Sequence, residues 1–208
     1  MASSIVASVA FLRIQDFSRR PASEQARLRA QLEAVVAVTT AELDPASRIV
    51  LEASDGVAIV LLRDPAGAVR LAQRALTASA AGLPLSAGLN HGALQAAGRK
   101  GAEGMTGDGI AVAAAIAEFA PASRLLASRS FRDALADAEP GREASLVAAG
   151  AFKTLGCAAT KSSAWTRTRW RDASCATRWR LPCWSLRASA AASPLGFPPR
   201  ATSPLPPQ

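Results

Sequence analysis

From Ser4 to Ile14 the chain runs through apolar and β-branched side chains without a glycine, proline or asparagine. Such a run reads as a buried strand, because a half-exposed one would alternate apolar with polar positions. The rest of the first 152 residues parses around it. Pro21-Ala22-Ser23 opens a helix to Glu42, with Leu28, Leu32, Val35 and Val36 at helical spacing and Arg27, Arg29 and Glu33 on the other side. Arg48–Ala53 and Gly56–Leu62 are short strands flanking Ser54-Asp55-Gly56, a tight-turn sequence that favours a hairpin. Pro65 starts a second helix carrying Val69, Leu71 and Leu76. Leu85–His91 and Ala93–Arg99 read as a further strand pair, and Asp108–Phe119 as a helix stopped by Pro121. Arg124–Ser128 is a strand, Ser130–Leu135 a short helix and Ser145–Phe152 a final strand. This order fits neither the regular alternation of a doubly wound sheet nor an all-β pattern. It predicts an α+β sandwich with a ferredoxin-like β-α-β-β-α-β core.

Charge divides the chain. Residues 1–151 carry 15 Lys+Arg and 15 Asp+Glu, whereas residues 152–208 carry 9 Lys+Arg and one acid, Asp172. The formal charge of +8 therefore lies in the C-terminal part, together with all three Cys, all four Trp and seven of the 13 Pro. Two regions follow: a domain over 1–152, and a basic Trp/Arg/Pro-rich tail over 153–208 that lacks helical or strand periodicity and is expected to be disordered. Hydrophobic residues make up 50% of the chain, which excludes disorder throughout. No apolar run approaches the roughly 20 residues that span a bilayer, and no charged segment precedes an apolar stretch at the N-terminus. The chain as written is expected to be cytoplasmic.

Four segments of the domain, in order and in register, resemble class III nucleotidyl cyclases. The family's opening F-A-D-I-x-G-F-T is similar to Phe11-Leu12-Arg13-Ile14-Gln15-Asp16-Phe17-Ser18. Its hairpin G-D-G-x-x-A resembles Ser54-Asp55-Gly56-Val57-Ala58-Ile59, and its G-I-H-T-G resembles Gly88-Leu89-Asn90-His91-Gly92. Its G-D-x-V-N-x-A-A-R-L is similar to Gly107-Asp108-Gly109-Ile110-Ala111-Val112-Ala113-Ala114-Ala115-Ile116. The resemblance implies the cyclase sandwich, a homodimer and a purine nucleotide ligand. It implies a former active site at Arg13, Phe17, Ser18, Asp55, Gly56, Asp108, Ala111 and Ala115.

At those positions the chemistry departs from the family. Cyclases use two Asp residues to hold two divalent ions, Mg²⁺ or Mn²⁺, and such hard cations require oxygen ligands. Asp55 keeps the second Asp, but the first is Arg13. The ribose-orienting Asn falls on Ala111, the phosphate-stabilising Arg on Ala115, and the base-selecting pair on Leu51 and Gly104. Asp16 replaces the glycine of the phosphate-cradling turn. No catalytic residue is assigned and no cofactor is expected, with Mg²⁺ or Mn²⁺ reserved for residual activity.

Each residue also has a plain structural reading. Asp55 is either a hairpin-turn aspartate or a vestigial ligand. Arg13 is expected to pair with Asp55 across adjacent strands, or else to serve as a fixed cation for a phosphate. Asp16 is a second candidate ligand, yet three residues from Arg13 on a continuous strand it would face the other way. His91, the single histidine, lacks metal-ligand companions and reads as a strand-end residue at the dimer face. No Lys-Ser/Thr follows the glycines at 104–109, which excludes a P-loop.

The tail carries two readings. As a basic arm, its Arg and Lys would meet phosphates or an anionic membrane, with Trp165, Trp170, Trp179 and Trp184 stacking or inserting. Its Arg, Ala, Ser, Pro and Trp are also what a GC-rich gene yields out of frame. A frameshift near Lys153-Thr154 would turn Thr160–Thr166 into His-Glu-Val-Phe-Gly-Leu-Asp, resembling the family's last strand, which the chain as written is expected to lack. It would also make residues 178–192 apolar, a membrane anchor at the inner face. No specific nucleic acid is expected. Cys157, Cys175 and Cys183 form no paired Cys-x2-Cys knuckle, so zinc is not expected. The expected function is an inactive cyclase-homology domain acting as a regulatory, ligand-sensing or dimerisation module. The alternatives are a residual cyclase or a binder acting through the tail.

Overall fold

The strand β1 (Ser4–Ile14) is buried from Ala7 to Leu12 because both of its faces are covered. The computed structural model describes residues 4–79, 82–96, 105–156 and 177–186. The helix α1 (Ala22–Thr40) follows β1, then the hairpin β2 (Arg48–Ala53) and β3 (Gly56–Leu61), then the helix α2 (Pro65–Ala78). Next come β4 (Leu85–Ala96), the two-residue β5 (Met105–Thr106) and α3 (Asp108–Phe119). The last described elements are β6 (Leu125–Ser128), α4 (Arg129–Ala138), β7 (Leu146–Gly156) and β8 (Thr177–Leu186). The strands form one sheet in the order β2-β3-β1-β4-β6-β8-β7, with β5 alongside β4. The architecture is the α+β sandwich that the element order predicts.

Strand periodicity sorts the two layers. Ala10, Leu12 and Ile14 join Val57, Ile59 and Leu61 of β3 and Leu85, Ala87 and Leu89 of β4 on one face. There they pack under Leu28 and Leu32 of α1, Leu71 and Ala75 of α2, and Phe131 and Leu135 of α4. Ala7, Val9 and Phe11 face the other way, with Ala58, Val60 and Leu94, and meet Ile110, Ala113 and Ala117 of α3. Among the described residues α3 is the single helix on that side, and it lies unusually close to the sheet. A Cβ on Gly88 would stand 2.2 Å from the Ala113 carbonyl oxygen and 2.5 Å from the Ala117 nitrogen, so only glycine fits beneath the helix.

Caps and turns follow sequence chemistry. The Asp64 carboxylate accepts from the Gly67 N–H ahead of Pro65 at the start of α2, and Ser128 Oγ accepts from the Phe131 N–H at the start of α4.

Two expectations are corrected. The strand pair Leu85–His91 and Ala93–Arg99 is a single strand, β4, which stays paired with β1 from Ile14 opposite Leu85 to Ser4 opposite Gln95. The expected break at Gly92 does not occur, because Gly92 lies opposite Ala7 within the ladder, and the neighbouring buried Asn90 amide donates to the Gly109 carbonyl and accepts from Ser130. His91 is therefore internal to β4 rather than at a strand end. Residues 97–99 and Gly104 lie outside the described residues.

The second correction concerns the last strand, which the chain as written is expected to lack. β7 runs on to Gly156, and β8 lies antiparallel between β6 and β7, so the chain as written does supply a last strand. Cys183 is buried, and the Arg132 guanidinium stands 5.7 Å from the Trp184 ring centroid. Pro182 precedes the stretch Cys183–Ser185 that pairs with β6, so its missing N–H falls outside that ladder. Backbone bonding from two neighbours makes this strand; side-chain alternation does not announce it. Thr160–Thr166, Trp165, Trp170 and the segments 157–176 and 187–208 lie outside the described residues. No helix among the described residues is long and apolar enough to cross a membrane.

Candidate functional site

Arg13 continues the odd-numbered series Ala7, Val9, Phe11, so β1 aims it at the α3 side of the sheet. It pairs in register with Gly56, which places the Ser54-Asp55 turn beside it. The Ile14 N–H donates to the Asp55 carbonyl at 2.9 Å, tying the hairpin to the end of β1. Arg13 Nε lies 3.0 Å from Asp55 Oδ2, and Arg13 Nη1 lies 3.3 Å from Glu118 Oε2. The pair expected from sequence forms, and a second carboxylate joins it. Arg13 and Asp55 are about three-quarters buried (24% and 28% side-chain exposure), whereas Glu118 is 63% exposed.

Sequence reading missed Glu118. The available signal was spacing: Ala111, Ala115 and Glu118 follow at i, i+4 and i+7, one face of α3. Ala111 and Ala115, the positions that the resemblance aligns with a ribose-orienting Asn and a phosphate-binding Arg, thus share a helical face with the carboxylate that reaches Arg13. Ala111 is exposed and Ala115 half-buried. A Cβ on Gly56 would stand 2.1 Å from the Leu12 carbonyl oxygen, so the hairpin meets β1 only through glycine.

The hairpin is also held from α1. Arg29 donates to the Ser54 carbonyl at 2.5 Å, and its guanidinium stands 5.4 Å from the centroid of the buried Phe17 ring. Ser18 next to Phe17 is exposed. The expected orientation of Asp16 is corrected, because β1 ends at Ile14 and Asp16 sits beyond it with φ 54°, a left-handed conformation that Asp tolerates. Its carboxylate pairs with Arg19 at 3.3 Å on the surface. Leu51 packs, half-buried, on the α3 side of β2.

The C-terminal end of α3 is pinned by neutral groups. Gln15 Nε2 donates to Ser86 Oγ at 2.5 Å and to the Ala120 carbonyl at 2.9 Å, and Ser86 Oγ donates to the Ala117 carbonyl at 2.9 Å. Carbonyls in the last turn of a helix lack intrahelical donors, and these side chains supply them. At the other end of α3, Asn90, His91, Asp108, Val112, Arg129 and Ser130 line a pocket of about 300 Å³. Asp108 is exposed there, in the first turn of α3. His91 Nδ1 lies 3.0 Å from Ser8 Oγ, and burial lowers the pKa of its imidazole.

The donor set at Arg13 does not suit two divalent ions. The group beside Asp55 is a guanidinium, and that cation already engages both nearby carboxylates, Asp55 and Glu118. No group of three His, Cys, Asp or Glu able to hold a metal occurs among the described residues.

No protein-family model and no curated protein matches this sequence. Solved structures do. The guanylyl cyclase Cya2 is similar at 11% identity and a TM-score of 0.57, over 89% of this chain and 93% of that one. The guanylate cyclase domain of RhGC from Catenaria anguillulae, in complex with GTP, is similar at 15% identity and a TM-score of 0.57, over 89% and 98%. A dimeric guanylyl cyclase domain of the RhoGC fusion protein from the aquatic fungus Blastocladiella emersonii is similar at 14% identity and a TM-score of 0.56, over 89% and 96%. The chain has the fold of adenylyl and guanylyl cyclase domains, as its four motifs imply.

Proposed function

We propose that this chain is a catalytically inactive domain of cyclase fold that serves signalling as a regulatory module, through dimerisation or ligand sensing. The observation that carries this reading is the Arg13–Asp55 ion pair at 3.0 Å, which puts a guanidinium where a metal ligand is needed. Ala111 and Ala115 add to it, since neither side chain can orient a ribose or neutralise a phosphate. Removing one such stabilising group from an active site costs about 10²–10³ in rate, and several are missing. A homodimer is the proposed assembly, supported by the dimeric domain of the same fold. A purine nucleotide is the proposed ligand class, supported by the GTP-bound neighbour. The proposed location is cytoplasmic, with an anchor at the inner membrane face only in a parent read through the shifted frame.

The test is cyclic nucleotide formation from ATP or GTP with Mn²⁺, alongside Asp55→Ala. No product is expected. Activity abolished in Asp55→Ala would overturn the reading and make Asp55 a metal ligand in a residual cyclase. Without product, a nucleotide-induced rise in melting temperature assigns ligand sensing, and its absence leaves dimerisation, measured by light scattering.

A further inference from the structure

We infer that the Arg13 guanidinium is a built-in counter-cation, latching the β2–β3 hairpin to α3 through Asp55 and Glu118. The closed arrangement of this side of the sheet is then independent of divalent cations. The inference rests on the placement of three side chains and not on the domain being inactive.

Three separate elements converge on one guanidinium. Asp55 comes from the hairpin turn, Glu118 from the last turn of α3, and Arg13 from the end of β1 between them. The planar fork of Arg suits this task, because Nε and Nη1 point along different directions and each meets its own carboxylate. Lys, a single point charge, would not fix the two directions. The two arms differ in strength. The Asp55 arm is shielded and joined to β1 by the Ile14–Asp55 backbone bond, whereas the Glu118 arm lies mostly in water and is the one that opens.

Charge makes the latch conditional on Arg13. With Arg13 present the three groups sum to one negative charge. Without it, two carboxylates face the same space and repel, and oxygen donors in that arrangement attract a hard divalent ion. The side chain at position 13 therefore decides whether this face depends on a protein cation or on a metal. Neither Gln15 nor Ser86 can substitute, since their hydrogen bonds go to each other and to the Ala117 and Ala120 carbonyls.

Thermal melts of the full chain in EDTA and in millimolar Mn²⁺ test this. The wild-type melting temperature is expected to be equal in the two conditions. Arg13→Gln should melt about 2–4 °C lower in EDTA, recover most of that in Mn²⁺, and lose the recovery when combined with Glu118→Gln. A wild-type chain stabilised by Mn²⁺ as much as Arg13→Gln overturns the inference. So does an Arg13→Gln that ignores Mn²⁺. If Arg13→Gln folds in neither condition, Glu118→Gln decides through hydrogen exchange. Faster exchange of hairpin and α3 C-terminal amides supports the latch, and unchanged exchange overturns it.

Discussion

The two ends of α3 rest on the same side of the same sheet, yet each is held differently. Near its C-terminus, beside the neutral bonds from Gln15 and Ser86 to the Ala120 and Ala117 carbonyls, charged groups meet in the half-exposed triad Arg13–Asp55–Glu118. Near its N-terminus, neutral groups meet in a network that runs from the buried Asn90 out to the exposed Ser130: Asn90 donates to the Gly109 carbonyl at 3.0 Å and accepts from Ser130 Oγ at 3.0 Å, and Ser130 contacts the buried Ser128 Oγ at 2.9 Å. Charges stay where water still shares their solvation, whereas neutral donors and acceptors go inside once every one of them is paired. The buried neutral network therefore stabilises more, and the ionic triad is the adjustable contact.

Substitutions should reproduce that ranking. Gly88, beneath the middle of α3, supports both ends, and Gly88→Leu should remove roughly 3 kcal/mol or more, or prevent folding, in urea denaturation. Asn90→Leu removes the second donor to the Gly109 carbonyl and the acceptor of Ser130 Oγ, and should cost about 2 kcal/mol in the same assay. Asp55→Asn should cost about 1 kcal/mol, and Glu118→Gln only a few tenths. Molar salt should erase most of the Glu118→Gln difference and leave the Asn90→Leu difference intact. An Asn90→Leu milder than Asp55→Asn would reverse the comparison.

The smallest expected effect is a pH slope from His91, next to the buried end. Burial depresses its folded pKa below the ordinary 6.5, so the unfolded chain takes up the proton first as pH falls. The stabilising contribution is thus complete above pH 6.5 and declines as pH drops below it. His91→Gln should flatten the stability profile there, measured by urea midpoints across the range.

Much of this was legible in the sequence. Local patterns determined β1, α1, the β2–β3 hairpin, α2 and α3, because apolar periodicity, prolines and a turn tripeptide act over a few residues. The resemblance to cyclases, and no local pattern, put Arg13 beside Asp55, since β1 and β3 lie far apart in the sequence and pair only in the folded sheet. Tertiary structure alone decided the continuity of β4, where long-range pairing with β1 carries the strand straight through Gly92. It alone decided β8, whose mixed Arg, Trp, Pro and Cys residues become a strand because β6 and β7 both supply backbone partners. Glu118 belongs to the same class: its role depends on how α3 lies across the sheet, and that follows from long-range packing over Gly88 rather than from any spacing along the chain.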